Sequence, residues 1–176
     1  ALLMYTSGTT GHPKGAMLTH DNILNGGKNV LLSHNLNKLD NALCVLPLYH
    51  INGFIVTVMG PLVSNSSLVL CEKFSATSFW HQVSEFKCTW FSIVPTIVSS
   101  LINKYPESEF KLLNTSLVKF GRSASAALAP ETHKNFENKF KINLIETMGL
   151  TETCAPILSN PVDPSKIKYG SPGIAY

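Results

Sequence analysis

Close to its start the chain runs Met4-Tyr5-Thr6-Ser7-Gly8-Thr9-Thr10-Gly11-His12-Pro13-Lys14-Gly15. Five hydroxyl residues, three glycines and a lysine lie in this stretch. Glycine lets backbone N–H groups come close to an anion, and successive N–H groups in such a turn form a concave anion-binding nest. The hydroxyl groups add uncharged donors, and Lys14 adds a mobile positive charge that suits phosphate. The stretch therefore predicts a loop that binds a triphosphate.

This loop is not the P-loop of the common nucleotide-binding proteins. The P-loop pattern G-x-x-x-x-G-K-[ST] needs a hydroxyl residue after its lysine, whereas Lys14 is followed by Gly15 and preceded by Pro13. The fold of the P-loop NTPases is therefore disfavoured. A hairpin loop without a ligand is the other interpretation. Ordinary hairpin turns of about two to five residues need neither this density of hydroxyl groups nor a lysine.

The composition indicates a folded domain rather than a nucleic-acid-binding chain. With 176 residues, 44% of them hydrophobic and 14% charged, the chain can form one domain with a sizeable buried core. The formal net charge is only +3, and the lysines are scattered rather than collected in a basic stripe. We therefore expect no nucleic acid partner.

The cysteines and the apolar stretches indicate in which compartment of the cell the protein is expected. Four cysteines stand far apart, with neither a C-x-x-C pair nor zinc-binding spacing. They are expected to be buried thiols in a reducing compartment, which predicts a cytoplasmic protein. The longest apolar stretch, residues 51–63, contains Asn52, Thr57 and Pro61 and is too short to cross a bilayer. The sequence therefore predicts no transmembrane segment.

Strand-like apolar runs alternate with helical patterns along the chain. Strands are predicted at residues 1–5, 41–46, 67–71, 88–94, 117–121 and, as the last clear one, 142–146. Helices are predicted from Thr19 or Asp21 to about His34, over 53–62 with an end at Pro61, over 76–86 with Ser75 as cap, from Pro95 onwards, and over 130–140. Repeated β-then-α units predict a mostly parallel sheet flanked by helices. Ligands on such sheets bind outside the carboxyl ends of the strands, where the loops 46–50, 121–128 and 146–152 are expected to converge.

The stretch from Tyr5 to Gly15 resembles the phosphate loop of the adenylate-forming (AMP-binding) superfamily, which includes acyl-CoA synthetases, peptide-synthetase adenylation domains and luciferases. Further segments resemble that superfamily's signatures, in its order. They are Leu46-Pro47-Leu48-Tyr49-His50, residues 123–130 at the adenine-pocket loop, Met148-Gly149-Leu150-Thr151-Glu152 for Y-G-x-T-E, and Lys168-Tyr169-Gly170-Ser171-Pro172-Gly173 for K-x-G-S-x-G. The chain is thereby identified as a member close to the acyl-CoA synthetases, the AMP-dependent acid–CoA ligases.

The resemblance implies a fold as well as a family. The large N-terminal domain of these enzymes is an α/β fold with a mostly parallel sheet flanked by helices. Residues 1–176 are expected to form a single partial AMP-binding domain, a fragment of that larger domain. The small C-terminal domain with its catalytic lysine is absent from this chain, so the fragment on its own is expected to be inactive.

The function implied by the resemblance is that of an AMP-forming acid–CoA ligase, of the kind used in fatty acid metabolism. ATP would activate a small-molecule carboxylic acid to acyl-AMP, and CoA, as second substrate, would take the acyl group as a thioester. ATP/AMP and Mg²⁺ are the implied cofactors. Alternatives stay open: an adenylation domain that loads a carrier-protein thiol, a non-catalytic or degenerate nucleotide- or acyl-binding module, and an α/β interaction domain without a ligand.

The resemblance also implies roles for individual residues. Lys14 and its loop would hold the β- and γ-phosphates, Thr151 would contact the α-phosphate, and Glu152 would bind Mg²⁺. His50 is expected to position the acid rather than act as a base, because an ionised carboxylate needs no base in order to attack. The residues implied to bind the nucleotide are Thr6, Ser7, Gly8, Thr9, Thr10, Gly11, Lys14, Ser125, Ala126, Ala127, Glu146, Thr147, Met148, Gly149 and Thr151.

Met148 departs from the superfamily's pattern, which usually has a tyrosine stacked on the adenine at this position. Base–aromatic stacking contributes about 1–3 kcal/mol. A methionine is polarizable and can lie flat on a ring, which recovers about 0.3–1.5 kcal/mol. The sequence therefore predicts weaker but retained nucleotide binding.

The segment after the second signature bears on the choice of acid. Amino-acid-activating members carry an aspartate soon after this signature, whereas His50-Ile51-Asn52-Gly53-Phe54-Ile55 contains none. This favours the acyl-CoA synthetases. The segments 74–80, 94–97 and 122–126 most resemble ligases of small acids, such as oxalate–CoA ligases.

Overall fold

A computed structural model describes residues 1–6, 11–154 and 156–176. In chain order, strands β1 to β9 span Leu2–Thr6, Lys14–Leu18, Asn41–Cys44, Ser67–Leu70, Trp90–Ile93, Phe120–Ser123, Leu144–Gly149, Pro156–Ser159 and Ile174–Ala175. Helices α1 to α6 span His20–Ser33, Gly60–Ser64, Phe79–Glu85, Pro95–Lys104, Glu107–Phe110 and Pro130–Phe140. A π-helix covers Asn52–Met59, and a short 3₁₀ helix covers Pro164–Lys166.

The main sheet has the strand order β4-β3-β5-β6-β7-β8-β9. Strands β3 to β7 pair in parallel, and β8 and β9 add antiparallel pairs at one edge. Strands β1 and β2 form a separate antiparallel hairpin. The predicted α/β fold with a mostly parallel, helix-flanked sheet is confirmed.

Two hydrophobic layers pack on opposite faces of the sheet. Successive strand residues point to opposite faces, so Trp90 and Phe91 of β5 enter different layers. On the Phe91 side, helices α3 and α6 contribute an aromatic cluster in which the rings of Trp80 and Phe140 lie 4.7 Å apart, and α4 adds aliphatic side chains. On the Trp90 side, α1 packs through Val30. Burying such side chains stabilises the fold by about 1.5–3 kcal/mol each.

The predicted strands at 117–121 and 142–146 were misplaced. The first lies at Phe120–Ser123, because residues 115–118 form a turn closed by a hydrogen bond from Val118 N to Thr115 O. The second begins at Leu144 and runs to Gly149, and it is not the last strand. Strands β8 and β9 were missed because they are short and carry no alternating apolar pattern.

The helices follow local signals where those signals are strong. Thr19 caps α1 as expected: Thr19 Oγ1 accepts from Asn22 N at 3.1 Å, and Asn22 Oδ1 accepts from Thr19 N at 2.9 Å. Helix α6 has the predicted bounds. Among the described residues no helix is long and apolar enough to cross a membrane. The four cysteines are free, and Cys71 is the one that is only partly buried.

Two helix predictions were wrong in detail. Pro61 does not end the helix predicted over 53–62, because it lies in the first turn of α2, where a missing N–H breaks no helical hydrogen bond. The residues before α2 form the π-helix. Ser75 does not cap α3, which begins at Phe79; its hydroxyl hydrogen-bonds that of Thr77 at 3.0 Å instead.

Candidate nucleotide site

A cavity of about 320 Å³ opens where β7 ends beside the loop that follows β6. This volume lies within the range of small-molecule sites, about 300–1,000 Å³. Its lining residues are Ser125, Ala126, Ala127, Glu146, Thr147, Met148, Gly149, Leu150, Gly170 and Pro172. The structure thus brings together seven of the residues that the sequence assigned to the nucleotide, at 125–127 and 146–149, whereas Thr151 does not line this cavity.

Glu146 joins the two walls of this cavity. Its side chain is only 5% exposed, and Oε1 accepts from Leu128 N at 3.0 Å. The backbone carbonyl of Glu146 accepts from Asn160 N at 3.0 Å. Within the described part of the chain, Oε2 of Glu146 and Oγ1 of Thr147 are buried without a hydrogen-bond partner. Buried polar atoms rarely stay unpaired, but these two side chains point to opposite faces of the sheet, so at most one of the two atoms can face a ligand in this cavity.

Met148 lies at the mouth of the cavity with 45% of its surface exposed. The pairing of β7 with β8 shifts register between Met148 and Gly149. Such bulges bend a strand and redirect its side chains near functional sites. The exposed thioether can therefore contact a flat ring in the cavity.

The predicted phosphate loop connects β1 to β2, and the sequence did not predict β2. Thr6 and Lys14 face each other across this hairpin, and Thr6 Oγ1 donates to the carbonyl oxygen of Lys14 at 3.3 Å. Gly11 has a φ of +84°, which glycine adopts without strain. The predicted phosphate ligands Ser7, Gly8, Thr9 and Thr10 lie outside the described residues.

The turn that carries Thr151 and Glu152 is packed against the hairpin. Leu18 of β2, Ile55 of the π-helix and Cys154 form one hydrophobic cluster. A Cβ atom on Gly26 of α1 would lie 2.6 Å from the carbonyl oxygen of Cys154, so the close approach requires glycine here. These contacts place the end of this turn, at Cys154, beside Leu18, which lies at the end of β2 away from the phosphate loop.

Glu152 is exposed, and among the described residues no cation pairs with it. The described chain also holds no cluster of three acidic, histidine or cysteine side chains that could bind a metal alone. Magnesium commonly uses one or two carboxylates together with substrate phosphates and water. A single exposed carboxylate such as that of Glu152 fits that mode of binding.

His50 lines neither the large cavity nor a second, smaller cavity of about 30 Å³. It is exposed in the turn before the π-helix, its N–H donates to Pro47 O at 3.1 Å, and its ring packs on Tyr49 with centroids 4.7 Å apart. In the described structure it does not contact the other predicted site residues. Its role in positioning the acid stays a prediction.

A buried polar cluster was not assigned to the site from the sequence. Arg122 of β6 is 2% exposed, and its Nη1 donates to Ser92 Oγ at 2.8 Å and to Asn52 Oδ1. A second cavity, of about 30 Å³, is lined by Asn52, Arg122 and Ser125. Burial lowers the pKa of Arg122 to about 9, so the guanidinium stays protonated at neutral pH. An arginine inside an apolar strand was the signal that could have revealed it.

Comparison with known proteins agrees with this geometry. The chain is 51% identical over 173 residues to the sulfoacetate–CoA ligase of Cupriavidus necator, covering 98% of the chain and 33% of the ligase. It is 35% identical over 173 residues to the oxalate–CoA ligase of Saccharomyces cerevisiae, covering 98% of this chain and 31% of that ligase. The chain therefore spans about a third of the length of these relatives.

Solved structures share the fold. The ATP-bound MatB from Rhodopseudomonas palustris superposes with a TM-score of 0.86 at 29% identity, over 98% of this chain and 33% of that one. The O-succinylbenzoate coenzyme A synthetase (MenE) from Bacillus subtilis, in complex with ATP and magnesium ion, superposes with a TM-score of 0.81 at 27% identity, over 98% of this chain and 35% of that one. The family model described as AMP-binding enzyme matches residues 1–175. The chain belongs to the family of AMP-binding enzymes.

Proposed function

We propose that the whole protein carrying this chain is an AMP-forming acid–CoA ligase. It would activate a carboxylic acid with ATP to acyl-AMP, release pyrophosphate, and transfer the acyl group to the thiol of CoA. The observation that carries the proposal is the cavity between the 125–127 loop and β7, lined by the small side chains of that loop and by Met148. The CoA ligases related to this chain support it.

Two parts of the described structure would serve adenylation, the large cavity and the phosphate hairpin. The adenine would lie in the large cavity against the small side chains of Ser125, Ala126 and Ala127, with Met148 on its open side. The triphosphate would extend towards Thr6, Gly11 and Lys14. Such positioning lowers the barrier, because the carboxylate and the α-phosphorus are held in line before they react.

Charge is the second requirement of the reaction. As a carboxylate oxygen bonds to the α-phosphorus, the bond to pyrophosphate breaks and negative charge builds up on the leaving group. Lys14 would stabilise that charge, and Thr151 would hydrogen-bond the α-phosphate. Glu152 would hold Mg²⁺, which neutralises phosphate charge when bound. Binding of Mg²⁺, CoA as thiol acceptor and a cytoplasmic location remain predictions.

The proposal is tested by acid-dependent exchange of pyrophosphate into ATP, measured on the full-length protein that carries this chain. The acids should range from oxalate and acetate to long-chain fatty acids and amino acids. Exchange with one class of acid would support the proposal, and Glu152→Gln should then reduce it strongly, whereas the exposed Glu72→Gln should not. A folded protein that binds ATP yet exchanges with no acid would contradict it and favour a non-catalytic nucleotide-binding module.

A further inference from the structure

Arg122 sits in a polar cluster beneath the nucleotide cavity. Ser92 Oγ donates to Asn52 Oδ1 at 3.1 Å, and Asn52 Nδ2 donates to Ser125 Oγ at 3.1 Å. The same Asn52 oxygen and the Ser92 hydroxyl accept from Arg122 Nη1. Three separate parts of the chain, the π-helix, β5 and β6, thus fix the guanidinium in one orientation.

In the described part of the chain, this guanidinium has no counter-ion. No acidic side chain of the described residues forms an ion pair with Arg122, and its Nε is buried without a hydrogen-bond partner. Glu146 lies on the neighbouring strand, but Ile145 is the residue in register with Arg122, so the Glu146 side chain points to the opposite face of the sheet. An unpaired buried cation is strongly unfavourable, whereas a hydrogen-bonded ion pair is tolerated.

The small cavity beside Arg122 adjoins the nucleotide cavity. Both cavities share Ser125, Gly149 and Leu150 in their linings. The small one has a volume of only about 30 Å³, and Arg122 and Asn52 form its polar end. A group that enters it from the site of adenylation therefore meets a fixed positive charge after a short distance and has no space for a long alkyl chain.

We propose that Arg122, oriented by Asn52 and Ser92, binds a second anionic group on the acid substrate. The enzyme would then select short acids that carry another carboxylate or a sulfonate besides the carboxylate that is adenylated. This inference rests on the proposed function as an acid–CoA ligase. Guanidinium forms strong, directional hydrogen bonds to such anions, which a monoanionic or long-chain acid cannot replace.

The test uses pairs of acids that differ only in the second charge. Sulfoacetate is compared with methylsulfonylacetate, a monoanion whose sulfone replaces the sulfonate, and malonate with its monoamide, also a monoanion, in pyrophosphate exchange by the full-length protein. We expect kcat/KM to be at least about tenfold higher for each dianion, the scale of a charge-assisted hydrogen bond. Equal or higher kcat/KM for the monoanionic partners, or for longer fatty acids, would overturn the inference and leave the proposed function intact.

Variants assign the effect to Arg122. In Arg122→Met the preference for the dianion should disappear, with the KM for ATP unchanged, whereas Lys28→Met, which removes an exposed positive charge from α1, should retain it. A preference that persists in Arg122→Met would overturn the assignment. The acid pairs compared on the unmodified protein keep the inference testable even when the variant fails to fold. Absence of exchange with every acid would overturn the proposed function, and this inference with it.

Discussion

The backbone N–H of Leu128 donates to Oε1 of Glu146 at 3.0 Å, and this bond ties the loop after β6 to strand β7. The small residues Ser125, Ala126 and Ala127 lie just before Leu128, which is itself buried. One carboxylate on the central sheet therefore fixes the position of the loop on which the adenine would rest. The sequence suggested a direct contact between Glu146 and the nucleotide, whereas this geometry gives its Oε1 a positioning role.

Replacing Glu146 by leucine should loosen the loop. The Leu128 N–H would lose its acceptor in a buried place, which costs about 1–3 kcal/mol of folding stability. We expect a lower urea midpoint and weaker ATP binding by calorimetry in the full-length protein. Glu146→Gln retains an oxygen acceptor and is the matched control. If leucine leaves both quantities unchanged, the bond does not hold the loop.

Lys14 provides the second prediction. As the predicted cation of the phosphate loop, it should contribute one charge-assisted contact, so Lys14→Ala should weaken ATP binding by about 1.5–3 kcal/mol. AMP, which lacks the β- and γ-phosphates, should bind the variant almost as well as the unmodified protein. Lys28→Ala serves as the control for loss of a positive charge. Equal weakening for ATP and AMP would remove Lys14 from the β,γ-phosphate site.

Met148 provides the third prediction. Because it lies half-exposed at the mouth of the cavity, Met148→Tyr should place an aromatic ring against the adenine. The difference between stacking on tyrosine and contact with a thioether is about 1 kcal/mol, so ATP should bind about fivefold tighter. Met17→Tyr, at an exposed position of β2, is the control. Looser binding in titrations of Met148→Tyr would show that this side chain is wrongly placed over the ring.

The parts of the fold that the sequence predicted well are those with local causes. Helix α1 has its capping residue Thr19 next to it, and α6 begins with Pro130 and shows a regular apolar face. The parallel sheet followed from repeated apolar runs. Most residues that line the large cavity were grouped from the sequence because they belong to two contiguous motifs, at 125–127 and 146–149, and their roles in binding stay predictions.

The parts that were missed depend on distant contacts. Arg122 is acceptable inside β6 only because Ser92 and Asn52, 30 and 70 positions earlier in the chain, accept its hydrogen bonds. No window of sequence around Arg122 contains that information, so the strand was expected to end at Gly121. Strand β8 likewise forms because β7 offers it an edge, and β9 forms on the edge of β8.

The last prediction concerns pH and the contact between Tyr169 and Glu137. Burial raises the pKa of Glu137, but the His133 ring, whose Nε2 lies 3.3 Å from Oε1, and hydrogen bonds from Tyr169 and the N–H of Leu144 outweigh it and hold the pKa below its usual value. The Tyr169 hydroxyl lies 2.6 Å and the Leu144 nitrogen 2.9 Å from this carboxylate. A carboxylate whose pKa is lowered in the folded state stabilises the fold at pH values above its pKa in the unfolded chain, which is about 4.3. This contribution is lost as the pH falls through the pKa of the folded state.

Unfolding by urea should therefore show a stability that declines below about pH 4.5 more steeply in the unmodified protein than in Glu137→Gln, which cannot ionise. Tyr169→Phe should lie between the two, because it removes one of the donors and raises the carboxylate's pKa towards its normal value. Glu131→Gln, at an exposed position in the first turn of the same helix, is the control for loss of an acidic group. Parallel curves for Glu137→Gln and the unmodified protein would mean that Glu137 does not contribute to the acid sensitivity. The acid loss of stability would then have to come from other carboxylates.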